Sequence, residues 1–558
     1  MARSTATATI EVSLRQRLVA KAECSSLRRL VRHCFQVRLA VLLSMAVSCR
    51  VIPNHHAGED ATRFDLRAQD PACFSTKGSY CDCGPSCSWR EGDGLSCQEP
   101  ESIEHNLFQS VVYPFLLTPL TRWDAARFLR LAHRPQLWLP QTNGQLSDTD
   151  LFQESERAHV FMPLFPSAVQ RTASVLMLLP KWSLPSTCEQ VMVLAAWFLN
   201  TLCCLLSAVS LYFLTENILR RQGVADLERG RLSRLAMLVF IYNPATVFFG
   251  TAYSEAMFST FVFAGCCLHT QGHDWIASVF WAAGSGTRSN GILYVGYILL
   301  FGLGRFLRPQ SLLERLQVTG KILLQAFLPC AVLIRHNRVG IAHHCDSEAL
   351  DQPAWCAFVD RASLFPRFNL YSYTQRQYWN VGIFKYYEVK QVPNFLLAAP
   401  ILLLSSAAVM TWIRCQWTQL PEATVTRNTL IHVAKWASIR LQQFSGHLNG
   451  QGYPKKHDNR EKTLVGEMAL EAGPLLLGHY AVLAATIILG LTVAHVQIST
   501  RMICSTCPAL YWFLATKVGF EEKRISPKVF VLGDAICWYC LSYTVLGIIM
   551  HSTWLPWT

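Results

Sequence analysis

Charged residues are scarce in this sequence: Asp, Glu, Lys and Arg make up 16% of its 558 residues, whereas hydrophobic residues make up 51%. So little charge over this length excludes an ordinary soluble protein. The chain also lacks a nucleic-acid-binding motif or a basic patch interleaved with aromatic residues, so its net charge of +13 does not indicate nucleic acid as a partner. We relate that charge to orientation in a membrane.

Several apolar runs approach the roughly 20 residues that a helix needs to cross a bilayer. The clearest are residues 191–214, 232–249, 392–413, 475–494 and 529–550, and shorter or interrupted ones are 256–268, 275–283, 292–306 and 318–334. A brief run at 39–49 follows a basic segment and favours a signal anchor, because no small-residue cleavage site stands out. We predict an all-α polytopic membrane protein with about 8–11 transmembrane helices.

Counting spans from a cytosolic N-terminus divides the chain into a basic N-terminus, residues 1–38, and one multispanning domain, residues 39–558. Residues 53–188 then form a first lumenal loop with interfacial helices, 335–391 a second lumenal loop, and 414–472 a cytosolic loop. The Arg-rich stretch 220–234 also falls in the cytosol, as the positive-inside rule requires, and the basic residues Arg305, Arg308, Arg315 and Lys321 again mark the cytosolic side.

This count places five polar clusters on the non-cytosolic side. They are Trp123-Asp124, "AYSE" 252–255, "TRSN" 287–290, "YWNVG" 378–382 and "HVQISTR" 495–501. Ionisable residues at the mouth of a span are costly and indicate function. A transporter would instead favour polar groups near mid-membrane and an inverted repeat, and the sequence has no internal repeat. We therefore expect the clusters to converge on one site.

A short amphipathic helix is predicted from Trp123, with Thr121 as a possible cap. Four apolar residues share one face at helical spacing: Ala125, Phe128, Leu129 and Ala132. Too short and too charged to span, the segment is typical of an interfacial helix on the lumenal leaflet. Asp124 would lie in its first turn, where the helix dipole favours a carboxylate. It is either a helix-start residue or a base that meets a lipid-borne substrate.

The other clusters also allow two interpretations. Ser254-Glu255 either caps its helix or contacts substrate. The preceding Asn243-Pro244 must interrupt its span, because proline lacks a hydrogen-bond donor. Arg288 suits phosphate recognition, or it is an interfacial arginine. In Trp379-Asn380 and in 497–501, stacking and hydrogen-bonding groups mix as in a sugar site, or they form an aromatic belt.

Five of the 21 cysteines crowd into the first lumenal loop: Cys73, Cys81, Cys83, Cys87 and Cys97. Disulfides are favoured there over a zinc site, because no histidine has finger spacing and the lumen is oxidising. Cys345 and Cys356 could pair in the second lumenal loop. Cysteines inside spans, such as Cys203 and Cys266, are interpreted as small apolar fillers.

The chain resembles the PIG-V family in a series of blocks that run in order to its last residue. They are "IPNHHA" (52–57), "RWDAARF" (122–128), "FMPLFP" (161–166), "NPATVFFGTAYSEAMF" (243–258), "TRSNGIL" (287–293), "YWNVGIFKYYEVKQVPNFLLAAP" (378–400), "HVQISTR" (495–501), "PALYWF" (508–513) and "WLPWT" (554–558). The resemblance implies a GT-C type glycosyltransferase of the endoplasmic reticulum membrane with a lumenal active site. It would add the second, α-1,6-linked mannose of the glycosylphosphatidylinositol (GPI) anchor from dolichyl-phosphate-mannose, without a cofactor or bound metal.

The sequence departs from the family pattern in two places. Arg50 abuts Val51-Ile52, so part of the first span is missing unless residues 33–49 substitute for it. An insertion follows residue 132, and Glu156 is the best positional match for an acidic residue of the family. The alternatives are another dolichyl-phosphate-sugar transferase, or a non-catalytic transporter or complex subunit.

The resemblance implies an inverting reaction with Asp124 as the single base. Arg288 or Arg501 would stabilise the leaving phosphate, and Trp123 would stack on sugar. The remaining expected substrate-binding residues are Glu156, Tyr253, Glu255, Asn290, Trp379, Asn380 and Gln497. The expected partners are the lipid-linked donor, the GPI-precursor glycolipid and the membrane, and no nucleic acid.

The predicted sidedness can be tested by glycosylation, which modifies Asn-x-Ser/Thr sites only in the lumen. The chain has no such site of its own. We expect sequons inserted near residues 90 and 360 to be glycosylated, and one near residue 450 to remain unmodified, as read by endoglycosidase-sensitive gel mobility. Glycosylation near residue 450 would contradict the predicted topology.

Overall fold

A computed structural model describes most of the chain, and the structural statements below concern the residues it describes. These are residues 2–52, 88–90, 94–96, 115–133, 156–178, 188–307, 311–345, 352–359, 368–418, 469–470, 473–518 and 527–555. The predicted cysteine-rich disulfides lie outside this set.

Helices dominate the described residues. In chain order they are α1 (Ala2–Val51), α2 (Asp124–His133), α3 (Leu164–Leu176), α4 (Cys188–Arg221), α5 (Asp226–Ile241), α6 (Glu255–Thr270), α7 (Asp274–Thr287), α8 (Leu293–Phe306), α9 (Leu312–Cys345), α10 (Leu370–Trp379), α11 (Val392–Thr418), α12 (Leu477–Thr492), α13 (Ser499–Thr506), α14 (Pro508–Val518) and α15 (Pro527–Ser552). One short antiparallel hairpin, β1 (Ser88–Arg90) with β2 (Gly94–Ser96), is an exception to the all-α prediction.

Five of the described helices are long and apolar enough to cross a membrane. Their candidate spans are Ser25–Val51, Gln190–Arg221, Leu312–Cys345, Val389–Gln416 and Leu532–Ser552. Together with the shorter apolar α12, they confirm a helical multi-pass membrane protein. The first span is longer than the predicted run at 39–49, because the helix continues through the preceding residues. α9 also continues through residues 335–345, so the predicted second lumenal loop begins with helical residues.

The predicted span at 232–249 is interrupted near Asn243-Pro244, as the missing proline donor requires. α5 ends at Ile241. The Asn243 side chain then donates to the Phe240 carbonyl at 2.8 Å and accepts from the Ala245 amide at 2.9 Å. A 3₁₀ turn, Thr246–Phe249, follows and leads to α6. The break turns the chain so that the first residue of α6 faces the site described below.

The antiparallel pair α6 and α7 separates two ionic clusters at its opposite ends. At the connection between the two helices, the Asp274 carboxylate lies 3.0 Å from His269, 3.0 Å from Arg305 and 3.2 Å from Lys321. Glu255 begins α6 and Arg288 follows α7, so both lie at the other end of the pair. The Asp274 cluster contains the basic residues that the sequence predicts to be cytosolic.

A buried arginine ties α1 into the helical core. Arg38 is 1% exposed, and its guanidinium donates to the carbonyl oxygens of Ile241 at 2.6 Å and Thr246 at 3.0 Å. It therefore satisfies backbone acceptors that the end of α5 leaves open. Near the other end of α1, Ser552 donates to Ser48 at 2.9 Å.

Cys345 and Cys356 form a disulfide, with a Cα–Cα distance of 5.6 Å, which confirms the predicted pairing. It joins the end of α9 to a 3₁₀ turn, Ala354–Phe358. Cys203 and Cys266 are buried and free, as expected of small apolar fillers. The disulfide fixes the segment that carries Trp355.

Arg38 offers a stability test. Arg38→Met keeps an unbranched side chain but leaves buried carbonyl groups without their donor, which costs roughly 1–3 kcal/mol. We expect a lower melting temperature in detergent for Arg38→Met, and no change for the control Arg32→Met, whose side chain is exposed. Equal melting temperatures for the two variants would show that Arg38 does not hold the α5 break.

Candidate active site

Asp124 is the first residue of α2, and its position is set by the residues beside it. Trp123 adopts a left-handed backbone conformation with φ 57°, which is unfavourable for a bulky side chain. The Asp124 amide donates to the Tyr253 hydroxyl at 3.2 Å. Thr121 does not cap the helix, because its hydroxyl donates to the Thr118 carbonyl at 2.8 Å. The chain thus turns sharply just before the carboxylate.

The apolar face of α2 packs against protein. Ala125, Leu129 and Ala132 are buried, and the Phe128 ring meets Phe165 of α3 edge-on at 5.3 Å. The predicted spacing of apolar residues is confirmed, and the face that they form is covered by protein. Sequence periodicity shows which face is apolar and not what covers it.

Four charged side chains form a continuous chain of alternating sign. The Asp124 carboxylate lies 3.1 Å from the Arg501 guanidinium. Arg501 lies 3.5 Å from the Glu255 carboxylate, which in turn lies 2.5 Å from Arg288. These residues come from α2, α13, α6 and the turn after α7. The ion pairs thus join one residue from each of four of the five predicted polar clusters.

The two carboxylates differ in accessibility. The Glu255 side chain is 0% exposed and is enclosed by both arginines, whereas the Asp124 side chain is 32% exposed. Asp124 is therefore accessible from outside the protein, whereas Glu255 is not. In this geometry Glu255 holds the two guanidiniums.

Aromatic rings line the buried side of Arg501. Its guanidinium lies 5.3 Å from the Tyr253 ring and 5.4 Å from the Phe248 ring, both within the range of cation–π attraction. Asn200 of α4 holds the Tyr253 segment by donating to the Tyr253 carbonyl at 2.8 Å. These contacts fix the orientation of the guanidinium toward Asp124.

Charge and burial act together on the protonation of the site. Burial opposes the charged form of Arg501, but the Glu255 and Asp124 carboxylates outweigh it and raise the pKa of Arg501. Burial and the nearby Asp124 carboxylate also keep the pKa of the Tyr253 phenol well above its ordinary value. Arg501 therefore remains a cation and Tyr253 a neutral hydroxyl.

The turn after α7 is held from both sides. Arg288 donates to the Ser254 hydroxyl at 3.1 Å, so the Ser254 side chain contacts the arginine and does not cap α6. Asn290 donates to the Thr506 hydroxyl at 2.9 Å. The expected substrate-binding residue Asn290 thus links this turn to α13, the helix of Arg501.

Glu156 lies in a second group of side chains. Its carboxylate accepts from the Trp355 indole at 2.6 Å and from the Tyr378 hydroxyl. Trp379 is linked to α2, since Arg127 lies 5.4 Å from its ring. Asn380 ends α10 in a left-handed conformation with φ 52°. Both oxygens of Glu156 are engaged by protein donors, so this carboxylate stabilises the segment around α10.

Gln497 belongs to neither group. Its side-chain oxygen accepts from the Tyr386 hydroxyl at 2.8 Å, and Asn394 donates to that hydroxyl at 2.9 Å. The Tyr386 ring also stacks on His495 with 4.4 Å between centroids. These contacts fasten the start of α13 to α11, and Gln497 acts on the site through that helix.

Sequence reasoning missed the C-terminal contribution to the site. Trp554 has φ 64°, and its ring lies 5.6 Å from that of Trp123 and 4.8 Å from the Arg122 guanidinium. His551 meets the Tyr253 ring at 5.7 Å. In the sequence, the terminal "WLPWT" block contributes only to the family resemblance. Its contact with Trp123 was not predictable, because the two segments are far apart in sequence.

Known proteins are similar to this one over most of the chain. The family model described as mannosyltransferase (PIG-V) matches residues 107–558, which include every residue of the ionic chain. GPI alpha-1,6-mannosyltransferase 2 of Mus musculus is 26% identical over 497 residues, covering 79% of this chain and 88% of its own length. GPI mannosyltransferase 2 of Drosophila melanogaster is 29% identical over 353 residues, covering 58% and 68%.

Among solved structures, an oligosaccharyltransferase from Archaeoglobus fulgidus is similar to 72% of this chain and 48% of its own, with 12% identity and a TM-score of 0.30. Within the ranges given above, no group of three or more His, Cys, Asp or Glu side chains is arranged to hold a metal ion.

The two carboxylates of the ionic chain should differ in their effect on stability. Glu255→Gln leaves two buried guanidiniums without their shared anion, a change that typically costs about 3–5 kcal/mol. Asp124→Asn breaks a partly exposed pair, which is worth about 1 kcal/mol or less. We expect a markedly lower detergent melting temperature for Glu255→Gln only. A similarly low value for Asp124→Asn would mean that Asp124 is chiefly structural.

Proposed function

Since the chain belongs to the PIG-V mannosyltransferase family, we propose that it transfers the second, α-1,6-linked mannose of the GPI anchor. The proposed donor is dolichyl-phosphate-mannose, and the proposed acceptor is the mannosyl-glucosaminyl-phosphatidylinositol intermediate. The observation that carries the proposal is the chain of Asp124, Arg501, Glu255 and Arg288, all within the segment that matches the family. The names of the relatives support the linkage.

The stereochemistry of the proposed reaction requires one displacement. The donor mannose is β-linked to phosphate and the product is α-linked, so the configuration at C1 inverts. The bond from C1 to the phosphate oxygen breaks as the bond from C1 to the acceptor oxygen forms, through an oxocarbenium-like transition state. Such a reaction needs one base on the acceptor side and stabilisation of the leaving phosphate.

Asp124 is the proposed base. Its Oδ2 faces Arg501, and the partly exposed carboxylate takes the proton of the acceptor hydroxyl. The ion pair with Arg501 orients the carboxylate before the substrate arrives, and a positioned base contributes typically 10²–10⁴-fold to a rate. Trp123, directly before Asp124, is the proposed stacking surface for sugar.

The two arginines are the proposed binding site for the donor phosphate. Arg288 and Arg501 both contact Oε1 of the buried Glu255, which holds the two guanidiniums close together. Fixed guanidiniums that face a developing anion stabilise it strongly where water is excluded. The leaving phosphate needs no general acid, because it departs as an anion. The polar ends of both lipid-linked substrates would meet here, with their tails in the membrane.

The proposed location is the endoplasmic reticulum membrane, with the site on the lumenal side. Supporting this placement, the site lies at the end of α6 and α7 opposite the Asp274 cluster, whose partners Arg305 and Lys321 are among the basic residues predicted to mark the cytosolic side. A lumenal site also agrees with the disulfide between Cys345 and Cys356, because disulfides persist in oxidising compartments.

Complementation tests the proposed function and the role of Asp124 together. In cells that lack the second GPI mannosyltransferase, the wild-type chain should restore GPI-anchored proteins at the cell surface. Asp124→Asn keeps the shape but removes the base, so a rate loss of roughly 10²–10⁴-fold should leave the one-mannose glycolipid to accumulate. Flow cytometry and glycolipid chromatography provide the two readouts.

The matched control is Asp226→Asn, which makes the same chemical change at an exposed carboxylate that is also the first residue of its helix, α5. It should restore surface proteins fully, and protein levels should be equal for all variants. If the wild-type chain fails to complement, the proposed function is wrong. If Asp124→Asn complements as well as the wild type, the base lies elsewhere.

A further inference from the structure

A cavity of about 210 Å³ lies between the segment before α3, the later half of α9 and the start of α10. We propose that this cavity binds a neutral hexose ring of the acceptor glycolipid. The proposal rests on the proposed function, since it assigns the acceptor half of that reaction to particular residues. The ionic chain would then serve the donor phosphate, and the cavity would hold the acceptor sugar.

The lining of the cavity is polar but carries no fixed charge. Its polar groups include the imidazoles of His159 and His336 and the phenol of Tyr371, and Met162 and Leu333 supply apolar surface. Imidazole and phenol groups both donate and accept hydrogen bonds, as sugar hydroxyls do. Among the described residues that line the cavity there is no carboxylate, lysine or arginine. A neutral polyhydroxylated ring therefore fits better than a phosphate or an ammonium group.

The size of the cavity also restricts the ligand. Sites for drug-sized molecules are roughly 300–1,000 Å³, and this cavity is smaller. It can enclose one ring of an oligosaccharide head group, but not an extended chain. The lining combines apolar side chains with polar groups, and a pyranose likewise offers both apolar and polar surface.

Two contacts connect the cavity with the catalytic residues. The Tyr371 hydroxyl lies 2.7 Å from the Ser289 hydroxyl, in the turn that carries Arg288. In the segment that contributes His159, Phe161 meets Phe128 of α2 edge-on at 5.1 Å. The cavity walls are therefore continuous with the turn at one end of the ionic chain and with the helix of Asp124 at the other.

The walls of the cavity are held in place by protein contacts. Asn337 of α9 donates to the Phe368 carbonyl at 3.0 Å and accepts from the Leu370 amide at 2.8 Å. His336 lies 2.9 Å from the His159 carbonyl. At Gly340, an added Cβ would come within 2.6 Å of both His159 and Leu370. Glycine thus permits the close approach of the three segments, and the cavity is preformed.

Tyr371→Phe tests the subsite by removing one hydroxyl from the wall. With purified protein in detergent, we expect the KM for the one-mannose glycolipid acceptor to rise about two- to tenfold, the range for one hydrogen bond. The KM for dolichyl-phosphate-mannose should not change. The control Tyr373→Phe removes a hydroxyl from the same helix outside the cavity and should leave both KM values unchanged.

A second variant makes the test independent of one hydrogen bond. Leu333→Phe narrows the cavity and should raise the acceptor KM further, with the donor KM again constant. An unchanged acceptor KM in both variants would overturn the proposal. A rise in the donor KM would overturn it as well, since the cavity would then hold the donor sugar. Absence of transfer by the wild-type protein would instead refute the proposed function.

Discussion

The alternating ionic chain of Asp124, Arg501, Glu255 and Arg288 determines how the helix ends around the site must be arranged. Charges removed from water are tolerated only when they are paired with good geometry. Each of the four side chains comes from a different element, so the surrounding helices must bring their ends to one place. The break after α5, the left-handed Trp123 and the contacts of Asn290 all serve that convergence.

Around this chain the site divides into a charged part and a neutral part. Glu255 is fully buried between two arginines, whereas Asp124 remains partly exposed at the end of the chain. Glu255 therefore holds the two arginines in place, whereas Asp124 is the carboxylate proposed to accept a proton. In the cavity beside Tyr371, the polar groups of the described lining residues are all neutral or titratable near neutrality, without a carboxylate, lysine or arginine. A lipid phosphate and a sugar head group require such different surroundings, and the fold provides both within one site.

Much of this arrangement follows from local sequence. Apolar runs predicted the helices because burial of the backbone in lipid requires helical hydrogen bonding, and Asn243-Pro244 predicted the break because proline lacks a donor. The sidedness of the loops predicted that Glu255, Arg288 and Arg501 would converge on Asp124. Their pairing was not predictable, since Asp124 and Arg501 lie 377 positions apart and only tertiary structure decides which charges meet. The same holds for the buried Arg38, which in sequence resembles the basic flank of a signal anchor.

A structure of the protein with both substrates bound would test the separate roles proposed for the Asp124 carboxylate and the two arginines. A non-hydrolysable phosphonate analogue of the donor, together with the one-mannose acceptor, would reveal both contacts at once. We expect phosphonate oxygens to contact Arg288 and Arg501, and the acceptor hydroxyl to lie within about 2.6–3.2 Å of the Asp124 carboxylate. A phosphonate bound away from both arginines, or an acceptor hydroxyl directed to Glu156 with Asp124 distant, would contradict it.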